Sequence, residues 1–238
     1  MHDSIPTLAE LDNDGALQEA ADKAGITRST LLRRSAFVGG GLIVGGLPVA
    51  FSLAQGVSKG DIDILNYALT LEFLEAAFYN EAVEKGALNG QLKRFAKIVA
   101  EHENAHVDAL KQTLGSKAVK KPSFNFKGTT DAESTFAATA LVLEDAGVKA
   151  YLGQAGNIKA DAVLKAAASI LPVEARHAAW IASIIGKGSS SPSPAPETFQ
   201  SAADMATILS AVGATGFITT ESGADAPSAV SGTPNVAG

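Results

Sequence analysis

The chain has 238 residues and a net charge of −6, with 46% apolar and 18% charged residues. This composition is typical of a globular protein with one well-buried domain of about 130 residues plus extensions. The acidic balance and the absence of a long basic run argue against nucleic acid as a partner. Cysteine is absent, which excludes disulfides, thiolate metal sites and cysteine nucleophiles, so any bound metal must be held by carboxylates and the four histidines.

Residues 1–54 form a leader in which an export signal is predicted. Arg33 and Arg34 precede Ala36–Ala54, nineteen residues without a charge that end in small residues at cleavage spacing. The stretch resembles a twin-arginine signal, which implies the twin-arginine export machinery as a partner and a periplasmic or extracellular location. An uncleaved membrane anchor is the alternative, although five glycines and Pro48 weaken the stretch as a spanning helix.

Four helices are predicted between residues 58 and 186 from apolar periodicity and from start and stop residues. They are α1 (about 58–85), α2 (about 90–114), α3 (about 131–152) and α4 (about 161–185). Capping boxes are predicted at the starts of α1 and α3, formed by Ser58 with Asp61 and by Thr130 with Glu133. Glycines are predicted to end the helices, at Gly86, Gly115, Gly153 and Gly186.

The connections between these helices predict the topology. The α1–α2 and α3–α4 connections are short, so each pair is expected to be an antiparallel hairpin. About sixteen residues join α2 to α3 and reach roughly 50 Å when extended, which exceeds the roughly 37 Å length of a 25-residue helix. The connection therefore has the length to cross the bundle and make α2 and α3 parallel. The predicted fold class is all-α, a ferritin-like four-helix bundle with one long crossover.

The domain organisation follows from shifts in composition. The bundle occupies residues 55–187, and residues 188–238 begin with a linker rich in proline and serine. A short fifth helix is predicted at 201–218, opened by Ser201 and Asp204 as a capping box. The remaining tail is low in apolar residues and is predicted to be disordered.

Six polar side chains are predicted to face the interior at the same height. Two helices carry the same Glu-x-x-His spacing within an apolar stripe, and the other two each carry one inward glutamate. Every one of these glutamates lies thirteen or fourteen residues from the predicted start of its helix, so all four fall in one layer. The six residues are Glu72, Glu103, His106, Glu144, Glu174 and His177.

Four buried carboxylates in one layer are untenable without cations, because an unpaired buried carboxylate costs several kcal/mol or becomes protonated. Two divalent metal ions would neutralise the four. Glu75 lies one turn from Glu72 and competes with it as a ligand. His102 is interpreted as a solvated or interface residue, and Asp145 as a residue that orients a ligand histidine.

These motifs resemble the dinuclear carboxylate site of the ferritin-like superfamily, which includes bacterioferritins, rubrerythrins and manganese catalases. The segments "LNYALTLEFLEAAFYNEAV" and "ILPVEARHAAWIASI" resemble, more narrowly, exported bacterial ferritin-like proteins related to desiccation-related proteins. The resemblance implies that Glu72 and Glu144 are terminal ligands and that Glu103 and Glu174 bridge. It also implies one histidine per metal and a tyrosine near the site, Tyr79, that assists electron transfer.

Two functions are compatible with this site. The first is a redox enzyme with an Fe or Mn pair that reacts with O2 or peroxide, ferroxidase-, peroxidase- or catalase-like, in oxidative or desiccation stress. The second is a non-catalytic cell-envelope stress-protection or binding protein in which the metal is structural. The sequence leaves open the metal identity, the substrate and the oligomeric state, a homo-oligomer included.

Overall fold

The computed structural model describes residues 57–186 and 193–219. Within these ranges the helices are α1 Lys59–Lys85, α2 Gly90–Leu114, α3 Glu133–Gln154, α4 Asp161–Gly186 and α5 Met205–Thr215. Two short strands, β1 Ser123–Phe124 and β2 Ile218–Thr219, and a 3-10 turn at Gly115–Lys117 complete the regular structure of these ranges. The all-α prediction is confirmed. The predicted export signal and the predicted disordered tail lie outside the described residues.

The predicted ends of α1 are confirmed. Ser58 and Asp61 form the capping box, in which the Ser58 hydroxyl accepts the Asp61 N–H at 3.0 Å. Gly86 ends the helix in the left-handed region at φ 68°, a conformation that glycine adopts without a steric cost.

Helix α4 contains Pro172 and continues across it without interruption.

The predicted capping box of α3 is wrong. The helix begins at Glu133 after Ala132, and no side chain caps it. The Glu133 carboxylate instead accepts the backbone N–H of Asn89 at 2.8 Å, and the Thr130 hydroxyl donates to Glu81 at 2.5 Å. Both side chains therefore form hydrogen bonds to neighbouring helices. These contacts between helices replace the predicted local cap.

The topology is the predicted one. The Asn66 amide near the start of α1 donates to the carbonyl of Lys117, just after α2, at 3.0 Å. Lys85 at the end of α1 pairs with Asp131, just before α3, at 2.6 Å. Helix α1 is therefore antiparallel to both α2 and α3, which makes α2 and α3 parallel. The long crossover between them spans the bundle.

The residues that follow the linker form a strap, defined here as 203–219. Its helix α5 is shorter than predicted, and Asp204 rather than Ser201 caps it by accepting the Thr207 N–H at 2.7 Å. The strap crosses α3 at Gly153, where a Cβ would stand 1.9 Å from the carbonyl oxygen of Ala203. Gly153 therefore lies inside the last turn of α3 and does not end the helix as predicted; the crossing explains the glycine.

The strap ends by pairing with the crossover. Strands β1 and β2 are antiparallel, with Ser123 opposite Thr219 and Phe124 opposite Ile218. A ladder of two residues carries no periodic signal in the sequence, and these strands were not predicted.

The core has two hydrophobic layers with a polar layer between them. Aromatic rings that include Phe78, Phe95 and Phe136 pack near the end of α1. Aliphatic side chains that include Leu65 and Leu110 pack near its start. Across the described residues, no helix combines the length and the apolarity needed to cross a membrane.

Candidate metal centre

The six predicted side chains meet in the polar layer. They come from four helices: Glu72 from α1, Glu103 and His106 from α2, Glu144 from α3, and Glu174 and His177 from α4. The four carboxylates are completely buried, and His177 is 2% exposed. The inward orientation inferred from the helical stripes is therefore confirmed for these side chains.

The cluster divides into two groups of four side chains. One group is Glu72, Glu103, His106 and Glu174, and the other is Glu103, Glu144, Glu174 and His177. In each group, one oxygen or nitrogen atom per residue lies within 4.8 Å of the others. Glu103 and Glu174 belong to both groups, whereas each remaining carboxylate and histidine belongs to one.

Both histidines direct Nδ1 at the carboxylates. His106 Nδ1 lies 3.2 Å from oxygens of Glu72, Glu103 and Glu174. His177 Nδ1 lies 3.1 Å from Glu103 and 3.2 Å from Glu144. Each group thus offers one imidazole nitrogen and three carboxylates around a common point.

Two buried tyrosines hold the carboxylates that are not shared. The Tyr79 hydroxyl donates to Glu144 Oε1, and the Tyr151 hydroxyl donates to Glu72 Oε1, both at 2.5 Å. Each tyrosine lies seven residues after the glutamate on its own helix and reaches across to the glutamate of the other. Tyr151 was not predicted as a site residue, although its spacing from Glu144 repeats that of Tyr79 from Glu72.

A fifth carboxylate, Glu75, borders the cluster and is 3% exposed. A Cβ on Gly147 would stand 3.3 Å from both Glu75 Oε1 and Glu174 Oε2, so the glycine leaves room for these carboxylates. Glu75 belongs to neither group of four. The geometry favours Glu72 as the ligand on α1, and the ranking of the two remains a prediction.

The clustering shifts the proton affinity of the carboxyl groups. Burial, followed by the charges of neighbouring carboxylates, raises the pKa of Glu75, Glu103 and Glu174 well above the usual range. Burial would also raise the pKa of Glu72, but the charge of His106 and hydrogen bonds lower it. Burial opposes a charge on His106, yet Glu72 and the other carboxylates raise the pKa of His106. Without metal, these shifts favour a charged Glu72–His106 pair and the protonated form of the neighbouring carboxyl groups.

The donor set fits divalent cations. Three buried oxygens, Glu103 Oε1 and both of Glu174, have no hydrogen-bond partner. One oxygen of each residue lies 3.1–3.2 Å from a histidine Nδ1, but without hydrogen-bond geometry. Buried polar atoms are normally satisfied, and these belong to the two residues that both groups share. A pair of cations would satisfy them.

Two residues beside the cluster differ from expectation. His102 is exposed, as predicted, but its Nδ1 lies 2.8 Å from Nε2 of His177. Partial burial of the ring, followed by the charges of His177 and His106, lowers the pKa of His102. Asp145 pairs with Lys149 at 2.5 Å, and its side chain is 43% exposed. The prediction that Asp145 orients a ligand histidine is therefore wrong.

Comparison with known proteins agrees with the fold. The model of the family described as ferritin-like domain matches residues 60–187, which contain α1 except its first residue, α2–α4 and all six residues of the cluster. No curated protein matched the chain. The match covers more than half of the chain, and the protein belongs to the ferritin-like domain family.

Proposed function

We propose that the protein binds two divalent ions, Fe or Mn, and reduces O2 or peroxide with them. The observation that carries this proposal is the division of the cluster into two groups that share Glu103 and Glu174. The shared carboxylates would bridge, Glu72 and Glu144 would be terminal ligands, and the histidines would supply one nitrogen each. Four carboxylates balance the charge of two divalent ions. Mixed nitrogen and oxygen donors suit Fe and Mn, which when bound supply the electrons for oxidant reduction.

The protein contributes position and electron transfer to this chemistry. The hydroxyls of Tyr79 and Tyr151 hold the terminal carboxylates, and the hydrophobic layers above and below exclude bulk water. Tyr79 also packs edge-on against Phe95 and Phe136, with ring centres 5.8 and 5.9 Å apart. We assign Tyr79 to electron transfer beside the metals. From the predicted export signal we propose that the reaction takes place outside the cytoplasm. The role in oxidative or desiccation stress is proposed from the resemblance of the sequence to desiccation-related proteins.

A structural role for the metal is the second candidate, and one observation favours it. Each group of four draws its ligands from both helical hairpins, so bound ions would tie α1–α2 to α3–α4. In this candidate the ions stabilise the fold and exchange no electrons.

Anaerobic loading with Fe(II) or Mn(II) distinguishes the candidates. The protein should bind two ions and then consume O2 or peroxide with oxidation of the metal. Glu103→Gln should lose metal binding and turnover, whereas Glu101→Gln, an exposed neighbour, should keep both. Binding of two ions with no oxidant consumption would support the structural role, and failure to bind two ions would refute the proposal.

The role of Tyr79 is tested separately. Tyr79→Phe should keep two ions but slow oxidant consumption, because the variant cannot donate an electron and a proton. Tyr151→Phe removes an equivalent hydrogen bond and is the matched control. Equal rates in both variants would show that Tyr79 only positions Glu144.

A further inference from the structure

The two imidazoles of His102 and His177 meet nitrogen to nitrogen at the edge of the cluster. His102 Nδ1 and His177 Nε2 are 2.8 Å apart, and the ring planes differ by 20°. The ring centres are 5.1 Å apart. The difference between this distance and the 2.8 Å between the nitrogens is about two radii of an imidazole ring. The rings therefore lie edge to edge, and the nitrogens point at each other, which is the geometry of a strong hydrogen bond.

This contact determines which nitrogen of His177 carries a proton when the other binds a cation. Nδ1 faces Glu103 and Glu144, so it is the nitrogen that would supply a lone pair to a metal. A neutral imidazole with Nδ1 as donor to a metal carries its proton on Nε2. That proton points at His102 Nδ1, which accepts it. The outer nitrogen of a metal-binding histidine commonly has such a partner, which orients the ring and raises its basicity.

The other half of the site lacks this partner. The residue that precedes Glu174 on α4, at the position equivalent to His102 on α2, is Val173, whose side chain has no hydrogen-bonding atom. Among the described residues, His106 forms hydrogen bonds through Nδ1 alone. The two groups of four are thus alike in their inner ligands and different in their outer contacts.

We propose that His102 is a positioning residue for His177 and makes the two metal positions unequal, so that the His177 position binds its ion more tightly. This inference rests on the proposed function. Removal of an outer partner of this kind typically weakens metal binding by about 10–100-fold. Metal uptake by the native protein is then sequential, with the His177 position filled first.

Single-position variants isolate the effect. Glu72→Ala removes a carboxylate that only the His106 position uses, and Glu144→Ala removes one that only the His177 position uses. His102→Leu should weaken Zn²⁺ binding by about 10–100-fold in the Glu72→Ala background and leave it unchanged in the Glu144→Ala background. Isothermal titration of metal-free protein with Zn²⁺ measures both. Equal losses in the two backgrounds, or none in either, would overturn the proposal.

Rescue separates hydrogen bonding from packing. In the Glu72→Ala background, His102→Asn places its amide oxygen where Nδ1 lies, retains an acceptor and should recover most of the affinity that His102→Leu loses. Val173→Ala alters the equivalent position on α4 and should change neither binding step of the native protein. A His102→Asn variant as weak as His102→Leu would contradict the hydrogen-bonding role.

Nitrogen NMR of the metal-free protein tests the contact without metal. His102→Leu should shift the Nε2 resonance of His177 and leave both resonances of His106 in place. An unshifted His177 resonance would overturn the proposal. A shifted His177 resonance in a protein that binds no metal would confirm the contact between the two histidines. It would refute the proposed function, and the proposed inequality of the two metal positions with it.

Discussion

Removal of metal should make the stability of this protein depend strongly on pH. In the metal-free cluster the pKa values of Glu75, Glu103 and Glu174 are raised, so the folded state keeps protons that the unfolded state releases above about pH 4.5. The stabilisation from such groups is complete below the unfolded pKa and is lost as pH rises through the folded pKa. The lowered pKa of Glu72 changes the stability only at lower pH, below about 4.5. The metal-free protein should therefore melt at lower temperature as pH rises from 5 to 8.

The size of this effect follows from the number of protons. Each retained proton contributes about 1.4 kcal/mol per pH unit, so one to three protons give roughly 1.4 to 4 kcal/mol per pH unit. Each ion bound at a thousandfold excess over its Kd adds roughly 4 kcal/mol, so two ions add roughly 8 kcal/mol. In a domain of this size, 1 kcal/mol shifts the melting temperature by about 4 °C. The loaded protein, with two ions bound, should then melt about 30 °C above the chelated protein near neutral pH, with a smaller gap at pH 5.

Thermal melting of loaded and chelated protein at pH 5 and pH 8 measures the effect. Replacement of Glu103, Glu144 and Glu174 together by Gln is the control, because it removes metal binding and two of the raised carboxyls. This variant should melt above the chelated native protein at pH 8 and show a shallower pH dependence. An unchanged melting temperature after verified metal removal, or a chelated protein that becomes more stable as pH rises, would refute the buried cluster.

Three further predictions concern single features of the chain. Glu72→Ala should lose metal much more than Glu75→Ala in a titration; the reverse order would show that Glu75 is the ligand on α1. Gly153→Ala should lower the free energy of unfolding by about 1–3 kcal/mol, because its Cβ would collide with the strap, whereas Gly156→Ala, which has open space, should not. Replacement of the Arg33–Arg34 pair by lysines should keep the precursor inside the cell, as fractionation would show; normal export would exclude the twin-arginine signal.

The bundle and its inner ligands were predictable because each depends on spacing within one helix. Glu103 and His106 occupy consecutive positions of an apolar stripe, as do Glu174 and His177, and this periodicity alone turns them inward. Helix starts then give the height of each residue. The crossover length determines the relative direction of α2 and α3, so fold and cluster follow together.

The outer contacts were not predictable because they depend on the rotation and spacing of neighbouring helices. The roles of Tyr151 and His102 appear only once α1, α3 and α4 are in place. Asp145 lies next to an inward glutamate in sequence, but the 100° turn per residue carries it to the surface, where Lys149 one turn on is a nearer partner. Local patterns thus specify the ligands, whereas their supports depend on tertiary structure.

The sharing of Glu103 and Glu174 also has a consequence for the order of folding. Each hairpin forms from contacts that are close in sequence, but neither hairpin contains a complete group of four. A metal ion therefore gains its full set of ligands only after the hairpins dock, a step that we expect late in folding. Interactions that form after the transition state slow unfolding and leave the folding rate almost unchanged. Bound metal should thus lengthen the lifetime of the folded protein. Removal of the metal should increase the unfolding rate and leave the folding rate almost unchanged.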